Sequence, residues 1–337
     1  MLAYTIRRLL LMIPVLLGIS IMVFAISASN PNGGELYSFI GNPKNVTQSQ
    51  LKALEHRLGL DKPLPVRYVL WLGSILHGDL GISYLTHEPA TEAIGSRVPA
   101  TLILMVTAFL LQEIIAIPLG IFSALRRGTL FDQTFSVIVY TLYSIPTFWL
   151  GLMLIAFLGV ELRLFPFPGM VDVLKTGGDF GTAAWSEYFH AHPFEALTDL
   201  GAHLVMPAVT LAAVGIAGDS RYMRGQMLEV LSQDYVRTAK AKGLPQRIVI
   251  WKHALRNAVL PIITNIGLQL PGLIGGAVVT EQIFAWPGTG RLFISSAQSF
   301  DYAVVIGLTM IISALTLLFN LLTDLSYALV DPRIRYS

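Results

Sequence analysis

The sequence predicts an all-α integral membrane protein with six transmembrane helices. Three observations carry this expectation. Of 337 residues, 54% are hydrophobic and only 13% are charged, against about 25% charged in soluble domains. The apolar residues gather into runs long enough to cross a hydrocarbon core as helices, which takes about 20 residues. Lys and Arg cluster beside alternate ends of those runs, as the bias of cytoplasmic loops toward positive charge requires.

The first span covers residues 9–28 and follows Arg7 and Arg8. A cleaved signal peptide is the alternative reading. The apolar stretch exceeds the roughly 7–15 residues of a signal core, so an uncleaved anchor is favoured. The second span covers 101–124, the third 135–160, the fourth 203–222, the fifth 260–284 and the sixth 303–329. Pro14, Pro118, Pro146 and Pro271 fall inside spans, which a bundle tolerates when neighbours satisfy the freed backbone groups. With the N-terminus inside, Arg7, Arg8, Arg126, Arg127, the basic residues from Arg221 to Arg256, Arg333 and Arg335 are all cytoplasmic. Most of the remaining basic residues fall in one long outer loop, where the rule counts least. Both termini are therefore expected in the cytoplasm.

That outer loop, residues 29–97, is patterned. Thr47 and Gln50 read as a capping box. Leu51, Leu54 and Leu58 repeat at helical spacing, and Gly59 offers a stop. After Pro63 and Pro65, residues 66–76 read as a second short helix, lying on the membrane or on the bundle. It serves either as a docking surface or gate, or as a lid that only completes the fold; amphipathicity does not separate these. Asn45-Val46-Thr47 matches a glycosylation sequon, but the capping role of Thr47 makes coincidence the better reading. The second outer loop, 161–202, carries His190 and His192 without a Cys or acidic partner at ligand spacing, so it reads as a polar loop and no metal site is expected.

The cytoplasmic stretch between the fourth and fifth spans carries the most information. Asp234 is a good N-cap. Tyr235 to Lys242 suits a two-turn helix that includes Val236, Arg237, Thr238, Ala239, Lys240 and Ala241. Gly243 can take the left-handed position after it, and Pro245 prevents continuation. Pro245 also suits the first turn of a new helix running through Ile248, Trp251 and Leu255. The product is a short stiff helix with stops at both ends. A merely basic loop obeying the charge rule is the plainer alternative.

Here the sequence resembles the permeases of type I ABC importers, in their dipeptide and oligopeptide branch. Their cytoplasmic loop has the general form Glu-Ala-Ala, three residues, Gly, nine residues, Ile, one residue, Leu-Pro. Anchored on Gly243, only Ala239, Gly243 and Leu255 fit that form. The run Asp234-Tyr-Val-Arg-Thr-Ala-Lys-Ala-Lys-Gly243 and the run His253-Ala-Leu-Arg-Asn257 look typical of the peptide branch. So do Leu58-Gly-Leu-Asp-Lys-Pro63, His77-Gly-Asp-Leu-Gly-Ile-Ser83, Thr280-Glu-Gln-Ile-Phe-Ala-Trp-Pro-Gly288 and Asp331-Pro-Arg-Ile-Arg335. The resemblance implies the type I permease fold with a helical extracytoplasmic insertion after the first span. It divides the chain into 1–96, a five-helix permease domain over 97–330, and a cytoplasmic tail over 331–337. It implies that Asp234 to Gly243 form a coupling helix seated in an ATPase cleft. It also implies a second homologous permease (this chain being the first of the pair), two ATPase subunits carrying ATP and Mg, an extracytoplasmic solute-binding protein, and a peptide or similar small solute. The expected location is a bacterial or archaeal cytoplasmic (inner) membrane, within the lipid bilayer.

Absent motifs narrow the function further. No Gly-x-x-x-x-Gly-Lys-[Ser/Thr], His-Glu-x-x-His or Gly-x-Ser-x-Gly sequence occurs, so neither a phosphate-cradling loop nor those hydrolase chemistries are expected. The chain has no cysteine and a net charge of only +2, which removes thiol chemistry and gives no general attraction to nucleic acid. No catalytic residue and no cofactor of the chain's own are expected. Glu113 is the one strong acid in mid-span. It lines the translocation pathway and meets a peptide amine, or it hydrogen-bonds to a neighbouring helix; the second reading is favoured. Asp219 and Asp324 lie near cytoplasmic ends, within reach of solvent or Arg. Gly267, Gly272, Gly275 and Gly276 suit close packing of the fifth span. A secondary transporter or channel is the rival class, but it needs intramembrane charges, a polar filter or inverted repeats. An intramembrane enzyme is weaker still, with no catalytic constellation.

Overall fold

The computed structural model describes residues 2–29, 49, 61–83, 85–269, 272–275 and 277–330. The expected capping box at Thr47, the leucine repeat over 51–58, the sequon, Pro271, Gly276 and the tail from 331 lie outside them.

Helix α1 (Leu2–Ala28) is the first span and packs along the last helix of the chain. Helix α2 (Leu64–Leu76) begins directly after Pro63, with Pro65 in its first turn, where a missing N–H costs nothing. It leans on α1 through aromatic contacts: the Tyr68 and Trp71 rings lie 5.5 and 5.4 Å from Phe24. The Tyr68 hydroxyl is 2.8 Å from Ser20 Oγ. Helix α3 (Ala90–Gly95) buries Ala90, Ala93 and Ile94 against Val304 and Leu308. Helix α4 (Val98–Leu125) is the second span.

The third span departs from expectation. It is two helices, α5 (Leu130–Ser144) and α6 (Thr147–Leu154), the latter extended by a π-helical turn over Ile155–Glu161, and the two pieces meet at 100°. The cause is local. Proline drives the residue before it out of helical geometry, and Ile145 sits at φ −78°, ψ 125°. Pro146 itself is extended at φ −60°, ψ 133°.

The second outer loop contains two short helices, α7 (Val173–Thr176), capped by Asp172, and α8 (Ala183–Ala191), capped by Thr182. Helix α9 (Pro193–Leu231) then runs for 39 residues, about 58 Å at 1.5 Å per residue. The fourth span is its middle, and the helix outruns a hydrocarbon core of about 30 Å. Helices α4 and α9 lie side by side in the same direction. Ala100, Leu104 and Ala108 meet Ala208 at the outer end, and Ile121 and Ala124 meet Met223 and Met227 at the inner end. Small residues allow this approach: a Cβ at Gly120 would lie 2.5 Å from the Ser220 carbonyl oxygen.

Helix α10 (Asp234–Ala241) follows α9. Helix α11 (Gln246–Ile248) leads through a π-helical turn, Val249–Ala254, into α12 (Leu255–Gln269). The fifth span is likewise not one continuous helix. After α12 come α13 (Gly272–Gly275) and α14 (Val278–Ile283), with Ala277 non-helical at ψ 69° between them. Four glycines in eleven positions, 267–277, give poor helix propensity exactly where the helix stops being regular. Helix α15 (Thr289–Gln298) and α16 (Tyr302–Val330), the sixth span, complete the chain. Among the described residues, four single helices and the bent pair α5–α6 have the length and apolarity of a span.

Two polar anchors fix the outer end. Trp286 is fully buried and donates from Nε1 to the Ala100 carbonyl at 2.8 Å. The carboxylate of Glu281, also fully buried, accepts from Thr101 Oγ1 at 3.0 Å and from the Arg291 backbone N–H at 2.9 Å. At the inner end, Arg224 donates from Nε and Nη2 to the two oxygens of Asp132 at 2.8 and 2.9 Å, and Ser123 Oγ donates to Asp132 Oδ1 at 2.5 Å. This ties the turn between α4 and α5 to α9.

Candidate functional site: a short capped helix and the polar knot above it

The first part of the site is α10. The sequence placed the helix from Tyr235 to Lys242 with Asp234 as its cap. The structure shifts it by one residue. Gln233 is the N-cap, at φ −71°, ψ 149°, with no side-chain capping bond. Asp234 lies inside the first turn, where its charge favours the helix dipole, and it faces Arg237 at 3.5 Å. Both side chains are exposed, so this pair adds little. The other end matches the expectation. Gly243 sits at φ +72°, and the last turn closes through Gly243 N–H to the Lys240 carbonyl at 3.0 Å and Leu244 N–H to the Ala239 carbonyl at 3.4 Å. Pro245 caps α11 rather than occupying its first helical position.

Val236 and Ala239, three residues apart, turn inward onto Val249, with Val230 and Leu231 beside them. Full burial of a valine contributes about 1.5–3 kcal/mol, so the eight-residue helix is seated on the bundle. Tyr235 strengthens the seat, because its hydroxyl accepts from Asn257 Nδ2 at 3.1 Å. Tyr235, Arg237, Thr238, Lys240, Ala241, Lys242 and Gly243 are exposed. Leu244, Ile248 and Trp251 are exposed beside them. This face combines basic charge with large apolar side chains.

The second part of the site lies where α4, α9 and α12 meet. Glu113 is 8% exposed, inside the chain's own bundle. Its Oε1 accepts from the neighbouring Gln112 Nε2 at 3.2 Å, and its Oε2 has no hydrogen-bond partner. Gln112 also donates to Asp219 Oδ2 at 2.5 Å and to Gln269 Oε1 at 2.9 Å. Asn265 Nδ2 donates to Asp219 Oδ1 at 2.9 Å, and Gln269 Nε2 reaches both Asp219 oxygens at 3.1 and 3.3 Å. Gly215 makes room for the knot, since any Cβ there would collide with the Gln112 side chain.

The expected place of Asp219, near solvent or Arg, is therefore corrected. It is 7% exposed, its donors are carboxamides from α4 and α12, and the Glu113 carboxyl lies beside it. Sequence reasoning passed over Asn265 and Gln269 altogether. The available signal was two carboxamides four residues apart, hence on one face of a membrane helix. Gly267, on that same helix, packs against Thr323 of α16, whose hydroxyl donates to the Gly267 carbonyl at 2.9 Å. His190 and His192 end α8; the His190 ring bonds the Ser186 carbonyl oxygen.

Comparison with known proteins places this geometry. Residues 116–336 match the family described as the binding-protein-dependent transport system inner membrane component. Residues 1–105 match the N-terminal part of the membrane component of such systems. The chain is 42% identical, over the full length of both, to the oligopeptide transport system permease protein AppB of Bacillus subtilis. It is 39% identical to the dipeptide transport system permease protein DppB of Escherichia coli K12, covering all of this chain and 99% of that one. It is 38% identical to the di/tripeptide transport system permease protein DppB of Pseudomonas aeruginosa, with the same coverage. The chain belongs to the inner-membrane components of binding-protein-dependent transport systems: it is a non-catalytic, multi-pass permease subunit of an ABC importer with the type I fold.

Proposed function

We propose that this permease carries dipeptides or oligopeptides and that α10 is its coupling helix. In this reading it is the first permease of a pair. A second homologous permease completes the pathway, two ATPase subunits bind ATP and Mg, and an extracytoplasmic binding protein delivers the solute. Both termini face the cytoplasm. The observation that carries the reading is the seat of α10: a capped two-turn helix, anchored by Val236 and Ala239, with its basic and apolar face turned outward. When two ATPases close around ATP, a cleft holding that face moves, and α10 follows as a rigid body. A stiff connector passes the displacement on to α9 and α12, whereas a floppy one would absorb it. The peptide branch is supported by the relatives' own substrates and by the typical runs Asp234–Gly243 and His253–Asn257. The burial of Glu113 favours a helix-junction role over a place on the pathway wall.

Reconstitution into lipid vesicles with the partner subunits tests the proposal. Peptide-loaded binding protein should stimulate ATP hydrolysis and drive peptide uptake, and omission of the ATPases should abolish uptake. Uptake driven by an ion gradient with this chain alone would show a secondary transporter instead.

A further inference from the structure

Asp219 joins the two helices that α10 connects. It stands on α9, 12 positions before Leu231, which is about 18 Å along the helix. Its donors Asn265 and Gln269 stand on α12. The lower part of α9, α10 and α12 therefore form a frame closed at both ends. Helix α10 closes the cytoplasmic end. The carboxylate of Asp219, accepting from Asn265, Gln269 and Gln112, closes the membrane end. Met223, Met227, Ala254, Ala258 and Ile262 fill the space between. A frame tied at one end splays when pushed; one tied at both ends moves as a body. Hydrogen bonds are strongest in a water-poor interior, and Asn265 and Gln269 both lose this acceptor if the acid is removed, while Gln112 keeps its bonds to Glu113 and Gln269. Beyond the knot, eight residues after Gln269, the chain leaves helical geometry at Ala277, at ψ 69°.

We propose that Asp219 is a positioning residue for energy coupling: it locks α12 to α9, so that displacement of α10 reaches the break in the fifth span undiminished. The inference rests on the coupling role given to α10 above.

The test uses the complete transporter in lipid vesicles, with wild type, Asp219→Leu and Asp219→Asn compared for ATP hydrolysed and peptide delivered. Asp219→Leu should raise ATP consumed per peptide roughly tenfold, the effect of losing several hydrogen bonds to one buried acceptor. Asp219→Asn, which keeps one acceptor oxygen, should fall between. A merely structural role would lower hydrolysis and uptake in proportion, and that unchanged ratio would overturn the proposal. If Asp219→Leu does not assemble, Gln269→Leu removes only part of the knot and should raise the ratio by a smaller factor, roughly threefold; an unchanged ratio in an assembled complex again counts against it. A second readout needs no peptide. The chain has no cysteine, so spin labels on Ser232→Cys and Leu268→Cys report the shape of the frame. Their separation should stay constant between nucleotide-free and ATP-bound wild-type complexes and change when Asp219→Leu is added. Equal change in both backgrounds overturns the proposal. A wild-type complex that hydrolyses ATP but moves no peptide counts against the peptide reading alone, and the label distance still decides the role of Asp219.

Discussion

Replacement of Gly243 isolates the backbone's part in coupling. Its φ of +72° lies in the left-handed region, and an added Cβ would meet nothing within 4 Å. No clash arises, so the whole effect of a side chain is conformational. Holding a non-glycine residue there costs about 1–2 kcal/mol, with Asn the least disfavoured. That energy lowers the population of the capped geometry by about 5–30-fold. Two bonds depend on it, Gly243 N–H to Lys240 and Leu244 N–H to Ala239. An eight-residue helix has little stability of its own, so loss of its stop loosens everything not held by Val236 and Ala239. The series Gly, Asn, Ala, Val should give falling affinity for the ATPase subunits in that order, measured by titration onto the purified permease pair. Amide exchange over 239–244 should quicken in parallel, and Gly243→Val should leave the permease pair assembled with transport lost or uncoupled. If Val binds as tightly as Gly, the cap has no such role. If the order instead follows side-chain volume, with Asn worse than Ala, the position matters through contact with the partner and not through φ.

Three further outcomes are open to thermal unfolding in detergent. Gly120→Ala should destabilise by about 1–3 kcal/mol, because its Cβ falls 2.5 Å from the Ser220 oxygen and 2.7 Å from Met223 Cβ; wild-type stability would mean that α4 and α9 are not so close. Trp286→Phe should cost about 1 kcal/mol or more by deleting the indole N–H bond to the Ala100 carbonyl, and a neutral effect would mean that this bond adds nothing. Asp132→Ala should cost about 2–3 kcal/mol, since it leaves Arg224 with only the Ser123 hydroxyl and the Gly128 N–H without its acceptor. Adding Arg224→Ala should then cost much less than it does alone, and strict additivity in that double-mutant cycle would exclude the pair.

What the sequence disclosed follows the range of the forces involved. The stop at Gly243 and Pro245 was legible because a left-handed cap and a missing N–H are decided within a few residues. The start of α10 slipped by one residue because Gln233 takes the cap geometry without offering a capping side chain. Pro146 was visible, but its effect was underread. A proline inside a span commonly kinks it, whereas here Ile145 and Pro146 are both extended and the chain turns by 100°. The fifth span looked continuous because hydropathy records residue type, and a row of glycines is apolar enough to pass. Asp219 was misplaced for a different reason. Its distance along the chain from the cytoplasm is readable, but its partners are not, because Gln112, Asn265 and Gln269 come from helices whose relative placement only the packing decides.

The two irregular spans break where they can shelter each other. Broken helix frees backbone groups that lipid cannot satisfy, so it persists only where protein covers it. Helix α6, after the bend at Pro146, packs on α14, after the break at Ala277. At their contact a Cβ on Gly151 would lie 3.2 Å from the Phe284 ring and 3.6 Å from Ile283. Phe284 in turn leads to Trp286 and the outer anchors on Ala100 and Thr101. The outer pieces of the third and fifth spans thus belong to one tier with the outer end of α4, whereas α5 and α12 lie against the inner half of α9. Helices α4 and α9 run unbroken through both tiers, packed at glycine distance. A displacement applied at α10 would meet the unbroken α9 and two jointed spans, and the joints at Pro146 and Ala277, where the backbone already leaves helical geometry, are where bending breaks the fewest bonds.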